Sequence, residues 1–226
     1  MQPQGLYNKQ FEHDACGLGF IVNIDGRKEH TIIDDAITIL NNLEHRGAVG
    51  GDRKTGDGAG MMTQIPHRFF KRVVDFKLPE PGQYGVGFLF LPPGAVEKAK
   101  KMVQSVVRKE KGKVLGWRKV PVNPDALGDF ARQSMPAFWQ LFVQFKNHSG
   151  EALERQLYIL RKVLESEASK LGWSMEDFYI SSLSSRTIVY KGMFVSLQFQ
   201  NFYPDLTASD FESALAMVHQ RYSTNT

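Results

Sequence analysis

Cys16 is the best candidate for a nucleophile in this sequence, and it is the only cysteine among the 226 residues. Gly17 follows it and leads into the apolar segment 18–24, so the cysteine stands at the start of a strand-like run. A cysteine becomes a nucleophile when a nearby base or cation favours its thiolate. Taken alone, a single cysteine at a strand start is more often a small buried hydrophobic residue. One cysteine also forms no intrachain disulfide, so Cys16 is either inert or reactive.

The glycine-rich segment 50–60 is the second candidate for chemistry, because closely spaced glycines let backbone N–H groups approach an anion. Its spacing matches neither G-x-G-x-x-G nor G-x-x-x-x-G-K-[ST], and Asp52 and Asp57 do not have the spacing of a calcium loop. We therefore interpret the segment as a loop that shapes an active site. The six histidines form no H-E-x-x-H pattern, so we expect no metal site.

The elements that must position these residues alternate along the chain without a repeat. Val/Ile/Phe-rich runs predict strands, and apolar residues at 3.6-residue spacing predict helices. The predicted strands or extended segments are 18–24, 61–65, 84–91, 114–122, 138–145 and 178–190, and the predicted helices are 31–43, 68–75, 95–109 and 151–171. The aromatic-rich stretch 194–203 is interpreted as packing surface, and 214–222 is a last apolar run. Together they predict one α+β domain with helices on the faces of largely antiparallel sheets.

The charge balance argues against a nucleic-acid partner. The chain has 28 Lys+Arg against 24 Asp+Glu, a net charge of +4, and the basic residues of 98–113 lie at helical spacing among apolar residues. This pattern favours a solvated helix face over a phosphate-binding patch. No apolar run of about 18 residues or more occurs, and no signal-peptide core precedes Cys16. We therefore expect a cytoplasmic protein without a membrane segment.

Four stretches in one order carry a resemblance to a known family. They are CGLGF at 16–20, LEHRGA at 43–48, TGDGAG at 55–60 and HQRYSTNT at 219–226. Together they resemble the class II glutamine amidotransferases. More narrowly, the four stretches resemble the amidotransferase domain at the start of the glutamate synthase large subunit, and the stretch SSRTIVYKGM at 184–193 is also similar to that subfamily. The likeness extends from about residue 5 to residue 226.

The resemblance implies a fold and a maturation step. The fold is the four-layer αββα sandwich of N-terminal-nucleophile hydrolases, here incomplete at the C-terminus. Residues 1–15 would be a leader that is removed, and 16–226 would be the N-terminal portion of the amidotransferase domain. The freed α-amine of Cys16 would then serve, directly or through water, as the base that activates its own thiol.

The resemblance also assigns roles to residues that match its motifs. Arg221 would pair with the α-carboxylate of glutamine, a task suited to a planar guanidinium, and Thr224 would assist substrate binding. Arg46 would lie near the nucleophile and order the pocket. Alternatively, Arg46 is a cation that complements a helix C-terminus before Gly47. The family's oxyanion hole and its α-amine-binding aspartate come from residues downstream of Thr226, so the chain alone is expected to be inactive.

The implied activity is the glutaminase half-reaction of glutamate synthase. L-Glutamine would be hydrolysed to glutamate and ammonia, and a synthase domain or subunit would receive the ammonia for reductive amination of 2-oxoglutarate. That partner region would carry FMN and an iron–sulfur cluster, whereas this chain, with one cysteine, would carry no cofactor. Two alternatives stay open. One is a truncated or split module that binds a synthase partner without turnover, and the other is a sibling class II amidotransferase of asparagine, purine or amino-sugar synthesis.

Overall fold

The computed structural model describes residues 17–52 and 54–220, which form eight β-strands and six α-helices. The strands are β1 (Leu18–Val22), β2 (Ala59–Gln64), β3 (Gly85–Leu91), β4 (Gly112–Lys119), β5 (Ala137–Phe145), β6 (Tyr179–Ser184), β7 (Thr187–Gly192) and β8 (Leu215–Gln220). The helices are α1 (Thr31–Asn42), α2 (His67–Val73), α3 (Val96–Lys109), α4 (Asp129–Gln133), α5 (Gly150–Lys170) and α6 (Ser196–Phe202). The predicted α+β class, with antiparallel sheets and helices packed on them, is confirmed.

The strands form two four-stranded sheets in which the described pairings are antiparallel. The first sheet has the order β1-β8-β2-β7, and the second has the order β4-β5-β3-β6. Strand β8 lies between β1 and β2, so Leu18 pairs with His219 and Ala59 pairs with Gln220. The first sheet therefore brings the two ends of the described chain together beside β2.

Helix α1 packs on the first sheet through the apolar stripe that its spacing predicts. Ile33 and Leu40 are fully buried, and Ile39 lies so near β1 that a Cβ at Gly19 would approach it closer than 3.0 Å. Glycine at position 19 thus allows the helix to lie directly against the strand. The end of α1, where the L-E-H-R-G segment begins, is held at the edge of the sheet as a result.

Helices α3 and α5 cover the second sheet. Their buried residues share one core with β3, β5 and β6, and burial of each leucine contributes about 1.5–3 kcal/mol relative to exposure. The core residues from the two helices are Ala99, Val103, Val106, Val107, Leu153, Leu157, Leu160, Leu164 and Ala168. A second core, rich in aromatic side chains, contains residues from both sheets, and in it the Phe88 ring of β3 lies 4.8 Å from the Tyr190 ring of β7.

A buried polar network crosses this aromatic core. The guanidinium of Arg118 on β4 donates two hydrogen bonds of 2.7 Å to the carboxylate of Asp205, and both side chains are at most 10% exposed. Tyr190 also donates to Asp205, at 2.9 Å, and Gln140 donates to the Tyr190 hydroxyl, at 2.8 Å. The network ties strands β4, β5 and β7 to the turn that follows α6.

Two predicted segments differ in detail from the structure. The segment 178–190, predicted as one extended run, forms two strands, β6 and β7, because Glu154 on α5 holds a turn between them. Its carboxylate accepts hydrogen bonds from the Ser185 backbone N–H and from the hydroxyls of Ser184 and Ser185. The stretch 194–203 is packing surface, as predicted, but it forms α6, a helix that the sequence did not indicate. Within the described ranges, no helix is long and apolar enough to span a bilayer.

Candidate active site

Of the four predicted site residues, Cys16, Arg221 and Thr224 lie outside the described residues. The structure does describe Gly17, which follows the cysteine, and Gln220, which precedes Arg221. The backbone N–H of Gln220 donates a 2.6 Å hydrogen bond to the carbonyl oxygen of Gly17. A Cβ at residue 17 would lie closer than 3.0 Å to the Gln220 carbonyl oxygen, so the two strands meet here at a distance that only glycine permits.

Arg46, the fourth predicted residue, ends the short 3₁₀ turn Glu44–Arg46 after α1. The turn is closed by hydrogen bonds from Arg46 N–H to the Leu43 carbonyl and from Gly47 N–H to the Glu44 carbonyl. A Cβ at Gly17 would lie 3.8 Å from the Cβ of Arg46, so the arginine stands directly beside the start of β1. This position, next to Gly17 and just past a helix C-terminus, fits both roles that the sequence allows for Arg46.

Gln220 is a residue that the sequence did not single out. It is 1% exposed, and its amide nitrogen and oxygen have no hydrogen-bond partner within the part of the chain that the structure describes. A Cβ at Gly47 would lie closer than 3.0 Å to its Nε2 atom, so the amide is packed against the H-R-G turn. Gln220 therefore contacts the other described parts of the candidate site: Gly17, Gly47 and, through the ladder, Ala59.

The glycine-rich segment forms a hairpin-like loop between the H-R-G turn and β2. Gly50 N–H donates to the Thr55 carbonyl at 2.7 Å, and Asp57 N–H donates to the Ala48 carbonyl at 3.2 Å. The Asp57 carboxylate accepts from the Ala48 N–H at 3.0 Å. Both ends of the loop thus adjoin Gln220, since Gly47 lies just before the segment 50–60 and Ala59, the first residue of β2, lies near its end.

A carboxylate fixes the tip of this loop to the distant helix α4. Asp52 accepts hydrogen bonds from the backbone and hydroxyl of Thr55, at 2.7 and 2.5 Å, and from the Phe130 N–H at 3.3 Å. Thr55 Oγ1 in turn accepts from the Ala131 N–H at 3.3 Å. These hydrogen bonds, above all the one from the Thr55 hydroxyl, hold the pKa of the Asp52 carboxyl well below its usual range.

Replacement of Asp52 by asparagine is expected to release the loop from α4, because the amide lacks the charge and one of the two acceptor oxygens. We expect the backbone amides of Thr55 and Phe130 to exchange with solvent roughly tenfold faster at pH 7 in Asp52→Asn. The depressed pKa means that the carboxylate stabilises the loop fully above its unfolded pKa, near 4. That contribution is lost only as the pH falls through the lower folded value.

The control for this measurement is Asp125→Asn, which changes a carboxylate that is 87% exposed and 3.5 Å from Arg132. This exposed pair should leave the exchange of Thr55 and Phe130 unchanged. Hydrogen exchange followed by NMR or mass spectrometry measures the exchange rates of these two amides in both variants. Equal exchange in Asp52→Asn and the unaltered chain would show that the carboxylate does not hold the loop.

A cavity of about 600 Å³ adjoins the candidate site beside Gly58 and Ala59. Its walls are mainly apolar and aromatic, and Lys191 and His219 supply polar groups. The Lys191 ammonium donates to the Tyr179 hydroxyl. Burial, followed by the charge of Lys191, lowers the pKa of His219, so its imidazole is neutral near pH 7. His219 begins the H-Q-R-Y-S-T stretch and Lys191 belongs to the stretch SSRTIVYKGM, so both lie in motifs that could have marked them.

Comparison with known proteins identifies the family to which the chain belongs. The family described as "Glutamine amidotransferases class-II" matches residues 16–226. The chain therefore belongs to the class II glutamine amidotransferases, and the resemblance drawn from the sequence motifs is confirmed.

The relatives within that family are glutamate synthases. The chain is 43% identical over 228 residues to a glutamate synthase [NADPH] large chain of Bacillus subtilis, a match that covers 99% of this chain and 15% of the relative. It is 43% identical over 221 residues to ferredoxin-dependent glutamate synthase 2 of Synechocystis, a match that covers 95% of this chain and 14% of that relative. It is 41% identical over 239 residues to a glutamate synthase [NADH] of Saccharomyces cerevisiae, a match that covers 99% of this chain and 11% of that relative. The chain spans between 11% and 15% of the length of these three relatives.

Proposed function

We propose that this chain is the glutaminase part of a cytoplasmic glutamate synthase, which hydrolyses L-glutamine to glutamate and ammonia for the reductive amination of 2-oxoglutarate. The hydrogen bond between Gln220 and Gly17, with Arg46 beside it, is the observation that carries the proposal. It joins three of the family's four motifs at one point. The relatives named above are glutamate synthases, which favours this function over asparagine, purine or amino-sugar synthesis.

In the proposed mechanism, residues 1–15 are removed and Cys16 becomes the N-terminal residue of the domain 16–226. Its α-amine takes the thiol proton, directly or through water, and the thiolate attacks the side-chain amide carbon of glutamine. The amide nitrogen leaves as ammonia after it gains a proton from the amine. Water then hydrolyses the glutamyl thioester, which releases glutamate and restores the thiol.

The proposed substrate contacts adjoin the described geometry. Arg221 is one peptide, about 3.8 Å, from Gln220, and Cys16 is one peptide from Gly17. We assign Arg221 to the α-carboxylate of glutamine, Thr224 to the same substrate, and Arg46 to ordering of the pocket. The oxyanion hole is expected from residues other than these, and removal of one oxyanion donor lowers the rate on the order of 10²- to 10³-fold.

The proposed fold is the αββα sandwich of N-terminal-nucleophile hydrolases. It is supported by the two antiparallel sheets, with α1 packed on the first and α3 and α5 packed on the second. The ammonia is delivered to a synthase domain or subunit, which is where FMN and the iron–sulfur cluster belong. A chain with one cysteine cannot supply the several thiolates that such a cluster requires.

Release of glutamate and ammonia from glutamine tests the proposal. The assay compares four forms, which begin at Met1 or at Cys16 and which end at Thr226 or extend through the expected oxyanion residues. We expect turnover only in the extended form that begins at Cys16, with intact mass confirming each N-terminus. Equal turnover in the form that keeps residues 1–15 would exclude the α-amine as the base. No turnover in any form would overturn the proposed function.

A further inference from the structure

Positive charge is concentrated in helix α3 and strand β4. The segment 96–119 contains nine Lys or Arg and two Glu, a net charge of +7, whereas the whole chain has +4, so the remaining residues together carry −3. Lys100 pairs with Glu97, and Arg118 pairs with Asp205. The other seven cations of the segment form no ion pair within the part of the chain that the structure describes. A local excess of this size attracts an acidic partner.

Strand β4 is the outermost strand of the second sheet, and its pairing with β5 leaves its other edge open. The Val120 N–H donates to the Phe138 carbonyl at 3.0 Å, in line with the antiparallel ladder between the two strands. Backbone groups alternate between the two edges of a strand, so the N–H and C=O groups of Lys119 and Trp117 point to the open edge. An edge of this kind is a template for a further strand.

A groove of about 460 Å³ lies between β4 and α3. Val114 and Trp117 of β4 are half-buried and supply apolar surface to it. Arg108 of α3 and Lys113 of β4 also line the groove, and both are exposed. An extended peptide that docks beside a sheet edge forms main-chain hydrogen bonds with the strand and places alternate side chains in neighbouring pockets.

We infer that the open edge of β4 and the groove beside it are a docking site for an acidic, extended segment of a partner protein, which adds to the second sheet as a fifth strand. The apolar side chains of that segment contact Val114 and Trp117, and its carboxylates pair with Arg108 and Lys113. The inference goes beyond the proposed function and does not depend on it, because it uses no residue of the candidate active site.

The charge and shape of this surface favour an acidic strand over two other occupants. A second copy of the chain, paired through β4, would bring the same cations together, and lysines on an edge strand act against such pairing. A nucleic acid would neutralise the cations through its phosphates, but it would use neither the open backbone groups of β4 nor the apolar part of the groove. An acidic strand uses all three features.

Binding of a fluorescently labelled peptide of alternating Glu and Val to the 226-residue chain tests the inference. By fluorescence anisotropy, we expect this peptide to bind at least about tenfold more tightly than a peptide of alternating Lys and Val. The double variant Arg108→Glu/Lys113→Glu should bind the Glu/Val peptide at least about tenfold more weakly. The matched control is Lys71→Glu/Arg155→Glu, the same charge reversal at exposed residues of α2 and α5, which should stay within about threefold of the unaltered chain.

Hydrogen exchange locates the bound peptide. We expect the backbone N–H groups of Trp117 and Lys119 to exchange about tenfold more slowly when the Glu/Val peptide is bound. Binding without this protection would show adsorption to a charged surface and overturn the inference. So would equal weakening in the control variant, tighter binding of a single-stranded oligonucleotide, a dimer that protects the same two amides without peptide, or no binding of the Glu/Val peptide. If Arg108→Glu/Lys113→Glu does not fold, the two peptides and the amide protection in the unaltered chain decide.

Discussion

Replacement of Cys16 by serine is expected to lower glutamine hydrolysis by about 10⁴-fold or more in the matured protein. Removal of the nucleophile in a covalent mechanism has effects of this order or larger. A serine hydroxyl is far less acidic and less nucleophilic than a thiol, so a site that activates the Cys16 thiol activates a hydroxyl much less effectively. Glutamate release under substrate saturation, measured with and without the substitution, gives the ratio directly.

The single cysteine supplies an independent control for this experiment. Within residues 16–226 a thiol-directed alkylating reagent modifies only Cys16, because this range contains no second thiol. We expect the alkylated protein to be as inactive as Cys16→Ser, and both proteins to unfold at the temperature of the unaltered protein. Glutamate release that persists after complete alkylation would remove Cys16 from the mechanism, whatever the effect of the serine.

Most of the secondary structure could be predicted from the sequence, because it follows from the local spacing of apolar residues. The apolar stripe of 31–43 and that of 151–171 predicted α1 and α5, and the run 138–145 predicted β5. Helix α6 was missed because its aromatic residues serve the core and obscure the helical spacing. The turn between β6 and β7 was missed because it depends on Glu154, a residue on another element.

The residues of the candidate site were predicted from the family motifs and not from local spacing along the chain. Gly17 and Gln220 are more than 200 positions apart, and nothing in local spacing indicates that β1 pairs with β8. The order of the family motifs gave that proximity indirectly. It gave no sign of the Asp52 contact with α4 or of the unpartnered Gln220 amide, since both depend on which surfaces meet after folding.

The buried polar network around Asp205 was equally invisible in the sequence, yet it supports one wall of the cavity beside the candidate site. Tyr190 donates to Asp205 and precedes Lys191, which lines the cavity. Tyr203, whose ring lies 5.0 Å from that of Tyr190, donates to the Lys191 carbonyl at 2.9 Å. Burial raises the pKa of both tyrosines, so they remain hydrogen-bond donors across the working pH range. Loss of the Arg118 cation should therefore disturb both the fold and the cavity.

Arg118→Met is expected to destabilise the domain by about 3–5 kcal/mol, because it leaves the Asp205 carboxylate buried without its counter-charge. Urea unfolding followed by circular dichroism measures the change. The matched control is Arg132→Met, which removes an exposed pair with Asp125 and should cost no more than about 1 kcal/mol. The double variant Arg118→Met/Asp205→Leu removes both charges, and its loss should be smaller than the sum of the two single losses. If Arg118→Met costs no more than the exposed control, the ion pair does not stabilise the core, and the cavity wall must be held by aromatic packing alone.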